Sequence, residues 1–211
     1  MKIDLHVHIH RTSRCARAEP DEMGKAAKAK GLDGIVILDH NYFATEEDRL
    51  KARESGIWAF RGMEINVCDD DVVIISPVAP DFTLRYKEKV TGKDLDKVAE
   101  WVYRVGALAI LAHPFRRKDT ISFDLSRFRC HAIEAVGRHV DVKNRAKIVE
   151  LAKSFDMQLV SVSDAHKTRQ LGGFCIDTAL SVADERDLIK TIKAGNFTAM
   201  ERRMVPAEGL R

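Results

Sequence analysis

Apolar and polar residues alternate strictly at the start of the chain, where Ile3, Leu5, Val7 and Ile9 interleave with Asp4, His6, His8 and His10. Period-two alternation predicts a strand with one apolar face and one face carrying a carboxylate and three imidazoles. The next strand reads differently. Gly34-Ile35-Val36-Ile37-Leu38 is continuously apolar, as expected of a strand buried on both faces in a parallel sheet. Further strands are predicted over residues 57–60 leading into Gly62-Met63-Glu64, and over 72–76, 107–112, 132–136 and 158–162.

Helix signals fall between these strands. Pro20 followed by Asp21 and Glu22 starts a helix that Gly31 closes, and Thr45 with Glu46, Glu47 and Asp48 starts a second that Gly56 ends. Thr91 begins a third that runs to Arg104 before Gly106. Helices over about 142–155 and 184–194 complete the set, and 77–90 reads as irregular. About seven strands alternating with five or six helices predict an α/β fold, a mostly parallel sheet closed or nearly closed into a barrel, in one domain spanning 1–211.

Composition narrows this picture without changing it. At 45% hydrophobic and 32% charged residues the chain reads as a globular protein, and no run of eighteen apolar residues predicts a membrane span. The charged, histidine-bearing first strand is unlike a secretory signal peptide. Cys15, Cys68, Cys130 and Cys175 stand singly, with no CxxC pair, as reduced thiols of a cytoplasmic protein would. A net charge of +3 does not by itself indicate nucleic-acid binding. It is compatible with an anionic substrate in a locally basic cleft.

Chemistry collects where the apolar strands stop: His6 and His8, Asp39 and His40, Glu64, His113, then Asp164 and His166. Parallel strands would bring these ends to one mouth of a barrel. Imidazole and carboxylate donors suit Zn²⁺, Mn²⁺ or Fe²⁺, and their number exceeds what one ion needs, so two or three divalent ions are expected. The structural alternatives are that Asp39 and Asp164 cap the helices that follow and that Glu64 pairs with Arg61, and these must all hold together. Arg116 and Arg117 follow His113-Pro114-Phe115 at the same mouth and are the expected phosphate partners; Arg14, Arg17, Arg138 and Arg169 lie on other loops that could face it.

With these motifs in view, the chain resembles the PHP (polymerase and histidinol phosphatase) metallophosphoesterases from Met1 to about Thr198. The matching pieces are Asp4-Leu5-His6-Val7-His8, Gly31-Leu32-Asp33-Gly34 leading to Asp39-His40-Asn41, Gly62-Met63-Glu64, Ala112-His113-Pro114-Phe115, Ala132-Ile133-Glu134 and Ser163-Asp164-Ala165-His166. The resemblance implies a distorted (β/α)₇ barrel. It implies that His6, His8, Glu64 and Asp164 hold one ion, that Glu64 bridges to a second bound by His113, and that His40 and His166 belong to a third. Two positions depart from the pattern. Asp71 stands about where the second ion usually has a histidine, which would favour Mn²⁺ or Fe²⁺ over Zn²⁺. The first loop offers only Ser13, Arg14 and Cys15 to the third ion.

The expected activity is hydrolysis of a small phosphomonoester or nucleotide by a metal-bridging hydroxide, with Asp39, His40 or His166 passing a proton to the leaving oxygen. Two rivals remain. One is an amidohydrolase-like metal hydrolase, a class that usually bridges its ions with a modified lysine where this chain has Glu64. The other is a non-catalytic PHP-like subunit of a ribonucleoprotein complex, for which decayed ligands and a strongly basic surface would be expected. Within the opening strand, His6 and His8 are the expected ligands, Asp4 a structural carboxylate, and His10 lies beyond the site.

Overall fold

A computed structural model describes residues 1–11, 15–85 and 88–202, so Ser13 and Arg14 lie outside the described residues. Among the described residues five α-helices and ten strands follow one another: β1 (Lys2–His8), α1 (Pro20–Ala29), β2 (Gly34–Leu38), α2 (Glu46–Arg53), β3 (Trp58–Val67), β4 (Asp70–Ile75), β5 (Lys89–Val90), α3 (Gly92–Val105), β6 (Leu108–Ala112), β7 (Ala132–Gly137), α4 (Arg145–Ser154), β8 (Gln158–Val162), β9 (Phe174–Asp177), α5 (Glu185–Lys193) and β10 (Thr198–Glu201). The capping chemistry works as its residue types require. Thr45 Oγ1 accepts from Asp48 N at the start of α2, and Asp184 accepts from Asp187 N at the start of α5. Gly106 ends α3 in the left-handed region, which costs glycine little.

The strands form one mixed sheet in the order β10-β9-β1-β2-β3-β4-β6-β7-β8, with β5 on β3. Pairs β1/β2, β2/β3, β6/β7 and β7/β8 are parallel; β4 is antiparallel to both its neighbours, and β9 and β10 form an antiparallel edge. The sheet curls almost to closure. His8 N donates to Ala165 O (2.9 Å) and Ala165 N to His6 O (3.2 Å), joining β1 to the chain just past β8. Ser161 Oγ donates to Met200 O (2.6 Å), tying β8 to β10.

Alternate residues of the strands fill the lumen: Ile3 and Leu5, Val36 and Leu38, Phe60, Val73 and Ile75, Leu108 and Ile110, Val160 and Val162. Leu188, Ile189 and Ile192 of α5 join them and plug one end, leaving the other for polar residues. Two outer layers cover the sheet, one with α1 and α2 (Met23, Ala27, Ala52) and one with α3 and α4 (Leu95, Trp101, Val102, Ile148).

The opening alternation needs a correction. The β1/β2 register shifts between Asp4 and Val7, a bulge that changes the phase of the strand. Ile3 and Leu5 pack in the lumen, whereas Val7 and Ile9 pack in the outer α1/α2 layer. His6 and His8 therefore face inward, while Asp4 falls out of phase with them. Its Oδ1 accepts from Ser163 N (3.1 Å) and His6 N (3.3 Å), as a structural carboxylate, and burial lifts its pKa to about 7. His10 lies outside, half exposed beside Glu19.

Candidate metal centre

The open end of the barrel collects the residues expected there. His6 and His8 end β1, Asp39 and His40 follow β2, His113 follows β6, and Asp164 and His166 follow β8. Glu64 lies within β3, held by Glu64 N to Asp39 O (3.2 Å) and Asn41 N to Glu64 O (2.7 Å). Asp71 reaches the same end because β4 runs antiparallel and pairs with Asn66 across the hairpin. His6, His8, Asp39, Glu64, Asp71, His113 and Asp164 are all buried, while His40 and His166 are partly exposed at the rim.

Glu64 is the hub. The Nε2 atoms of His6 and His8 are 3.0 Å apart, and His8 Nε2 is 3.3 Å from both Glu64 Oε2 and Asp164 Oδ1. On the other side, His113 Nε2 lies 3.1 Å from Glu64 Oε1 and 3.8 Å from Asp71 Oδ2. His40 Nδ1 is 2.7 Å from Glu64 Oε2, and the His166 ring stacks on His8 with centroids 4.0 Å apart. Among the described residues three neighbouring donor groups result: His6/His8/Asp164, Glu64/Asp71/His113, and His8/Cys15/His40/His166, the first and last sharing His8.

Two carboxylates behind the rings set their orientation. Glu134 Oε1 lies 2.7 Å from His6 Nδ1, which fixes the proton there and leaves Nε2 facing the cluster; Glu134 Oε2 accepts from His113 N (2.7 Å). Asp39 Oδ1 is 3.5 Å from His8 Nδ1 and accepts from His40 N (2.8 Å). His113 and Asp164 have φ of 27° and 47°, uncommon for residues with a Cβ and costing about 1–3 kcal/mol each.

The electrostatics call for positive charge. Burial disfavours charge on His6 and His8, yet Asp164, Glu134 and Glu64 raise His6 well above the usual range, and Asp164, Asp39 and Glu64 raise His8. His40 is pushed up to about 10, burial being outweighed by hydrogen bonds to Cys15 and Glu64. Burial opposes ionisation of Glu64 and Asp164 as well, but the imidazoles hold both carboxyls below the ordinary range.

At the rim, Arg116 Nη1 lies 3.8 Å from Asp164 Oδ2, and Arg117 Nη2 lies 2.9 Å from Asp71 Oδ2, so both arginines border the cluster. Arg117, Asp71, Asn66, Asn41, Lys89 and His40 line an adjoining cavity of about 440 Å³. Two residues here have no role assigned to them from the sequence, although Glu134 stands in the Ala132-Ile133-Glu134 motif. Glu134 was visible as a single carboxylate inside the apolar run of β7. His139, whose Nε2 is 3.6 Å from Asp164 Oδ2, stands in a loop with no pattern to mark it.

Residues 4–191 match the PHP domain family, and the chain belongs to it. Solved structures share its fold. One, from Bifidobacterium adolescentis and provisionally described as a metal-dependent phosphoesterase, superposes with TM-score 0.62 at 14% identity over 92% of this chain and 96% of its own. A two-domain Bacteroides vulgatus protein containing a predicted PHP-like metal-dependent phosphoesterase gives 0.71 at 16% identity, covering 95% of this chain and 64% of that one. An amidohydrolase from Chromobacterium violaceum, solved with sulfate and no metal, gives 0.60 at 15% identity over 79% and 88%. No curated protein matches the chain.

The residues at the mouth fit divalent cations. The donors are those of a metal centre, and His6 and His8 have their outer nitrogens beside the carboxylates of Glu134 and Asp39. Among the described residues no hydrogen bond is directed to the buried Asp164 Oδ1, which instead faces the Nε2 atoms of His8 and His6 at 3.3 and 3.5 Å. A cation there would replace the protons that the crowded carboxylates now draw onto the imidazoles.

Proposed function

We propose that the chain is a metal-dependent phosphoesterase acting on a small phosphomonoester or nucleotide. The observation carrying this reading is the convergence of three donor groups on one carboxylate, Glu64, with two arginines at the rim. In it, His6, His8, Glu64 and Asp164 hold one ion, and Glu64, His113 and Asp71 a second. When bound, such ions supply Lewis-acid polarisation and a lowered water pKa, which phosphoester hydrolysis uses.

The chain's own groups do the rest. Glu134 and Asp39 lock the rings of His6 and His8, so Asp39 is a positioning residue, fully buried behind His8, and not the proton donor considered from sequence. Arg116 and Arg117, half exposed, turn their guanidinium groups from Asp164 and Asp71 toward the phosphate and neutralise its charge. In a two-ion enzyme His40 and His166 carry the proton to the leaving oxygen; in a three-ion enzyme they are ligands. The 440 Å³ cavity beside them is the size of a small-molecule site.

The test is hydrolysis of p-nitrophenyl phosphate by EDTA-stripped protein given Mn²⁺. Activity should return with the ion and fall by two or more orders of magnitude in Asp164→Asn and Glu64→Gln. Turnover unchanged in both variants would remove the reading. The amidohydrolase neighbour motivates a second reading, C–N hydrolysis at the same centre. A carboxylate at the hub weighs against it, and anilide substrates assayed beside the phosphoester separate the two.

A further inference from the structure

The outermost donor group differs in chemistry from the other two. His6/His8/Asp164 and Glu64/Asp71/His113 offer only nitrogen and oxygen, whereas the third contains the Cys15 sulfur, within 4.8 Å of ring nitrogens of His8, His40 and His166. His8 turns its Nε2 to His6, Glu64 and Asp164, so the donors left for the outer position are Cys15, His40 and His166. His40 already meets Cys15 through a hydrogen bond. His166 Nδ1 sits 3.2 Å from the Asp164 carbonyl oxygen, an arrangement that places the ring proton there and leaves Nε2 for a ligand. Of the other cysteines Cys130 and Cys175 are buried and Cys68 is half-buried, and none of them joins a donor group among the described residues; Cys15 is exposed at the mouth.

We propose that Cys15 is a thiolate ligand of an ion held with His40 and His166, making this outer position selective for thiophilic ions such as Zn²⁺ or Cd²⁺ over Mn²⁺. The proposal rests on the metal-centre reading above and adds a division of labour to it. Thiolate and imidazole favour softer ions, while the carboxylate-rich inner groups also suit Mn²⁺. Three protein donors are what a four-coordinate ion with one exchangeable position requires. The Cys15 thiol gives its proton to solvent as the ion binds, so charge balances. An ion there occupies His40 and His166 as ligands, which takes them out of proton transfer.

Co²⁺ titration of the metal-stripped full chain tests this apart from activity. Visible d–d absorption reports cobalt bound anywhere in the centre; a near-ultraviolet sulfur-to-cobalt charge-transfer band reports a thiolate ligand. The band should appear in the wild type, vanish in Cys15→Ser and persist in Cys68→Ser. Visible absorption without the band, or a band surviving Cys15→Ser, overturns the role of Cys15 while leaving the metal centre standing. No cobalt absorption at all removes both. Iodoacetamide labelling of Cys15, located by mass spectrometry, should be blocked by Zn²⁺ or Cd²⁺ and not by Mn²⁺; equal labelling with and without Zn²⁺ also overturns it.

Discussion

Glu134 shows how much a single side chain organises here. One carboxylate oxygen orients the His6 ring and the other receives the backbone N–H of His113, a residue held at positive φ. Removing its charge should loosen both inner groups together. Glu134→Gln is expected to weaken Mn²⁺ binding about 10–100-fold, the usual consequence of losing a partner behind a liganding histidine. Calorimetric titration checks it, and wild-type affinity in the variant would show that the ring needs no such support. His6, His8, Glu64, His113 and Asp164 were legible in sequence because each stands where an apolar strand meets the mouth, whereas the roles of Glu134 and His139 depend on contacts across the barrel that one-dimensional spacing does not encode.

Among the elements, the strand pattern was legible wherever apolar runs were long. Residues 34–38, 57–64, 107–112, 132–136 and 158–162 all lie in or lead into observed strands. Three features were not. The bulge in β1 arises from pairing with β2, so simple alternation put Asp4 on the face of His6 and His8, and Ile3 and Leu5 on the face of Val7 and Ile9. Strands β9 and β10 are four residues each, too short for a period to register, and two-residue β5 falls in a stretch read as irregular. The reversal of β4 follows from a tight hairpin at Cys68 and Asp69, and that reversal is what carries Asp71 to the mouth. Within β3, Gly62 permits the close approach of β4: a Cβ there would lie 2.9 Å from Ile74 O and 3.1 Å from Val36 Cγ1. Gly62→Ala should cost about 1–3 kcal/mol through overpacking and shift Glu64 two residues on. Urea unfolding measures the first effect and Mn²⁺ affinity the second; a variant of unchanged stability would mean that the strands yield at little cost.

At the scale of the molecule, the two ends of the barrel have different electrostatics. The mouth is rich in carboxylates, whereas near the plugged end His131 lies close to Lys193 and Arg129. Burial, Lys193 and Arg129 depress His131 to about 4, while Ala109 N donates to its Nδ1 (3.1 Å). The unfolded chain takes up this proton near pH 6.5, above the folded value, so stability should decline as pH falls from about 6.5 to about 4 and level below that. His131→Gln, which keeps an acceptor for Ala109, should lose less stability than the wild type between pH 7 and pH 5 in urea unfolding; parallel losses would place the dependence elsewhere. No helix among the described residues is long and apolar enough to cross a membrane. On the function proposed above, ions gather around Glu64 and phosphate meets them beside Arg116 and Arg117. Crystals grown with Mn²⁺ and inorganic phosphate address it directly through anomalous scattering. Manganese peaks on both sides of Glu64, with phosphate between them and an arginine, are the predicted result; phosphate bound elsewhere, or no peak in contact with Glu64, would contradict it.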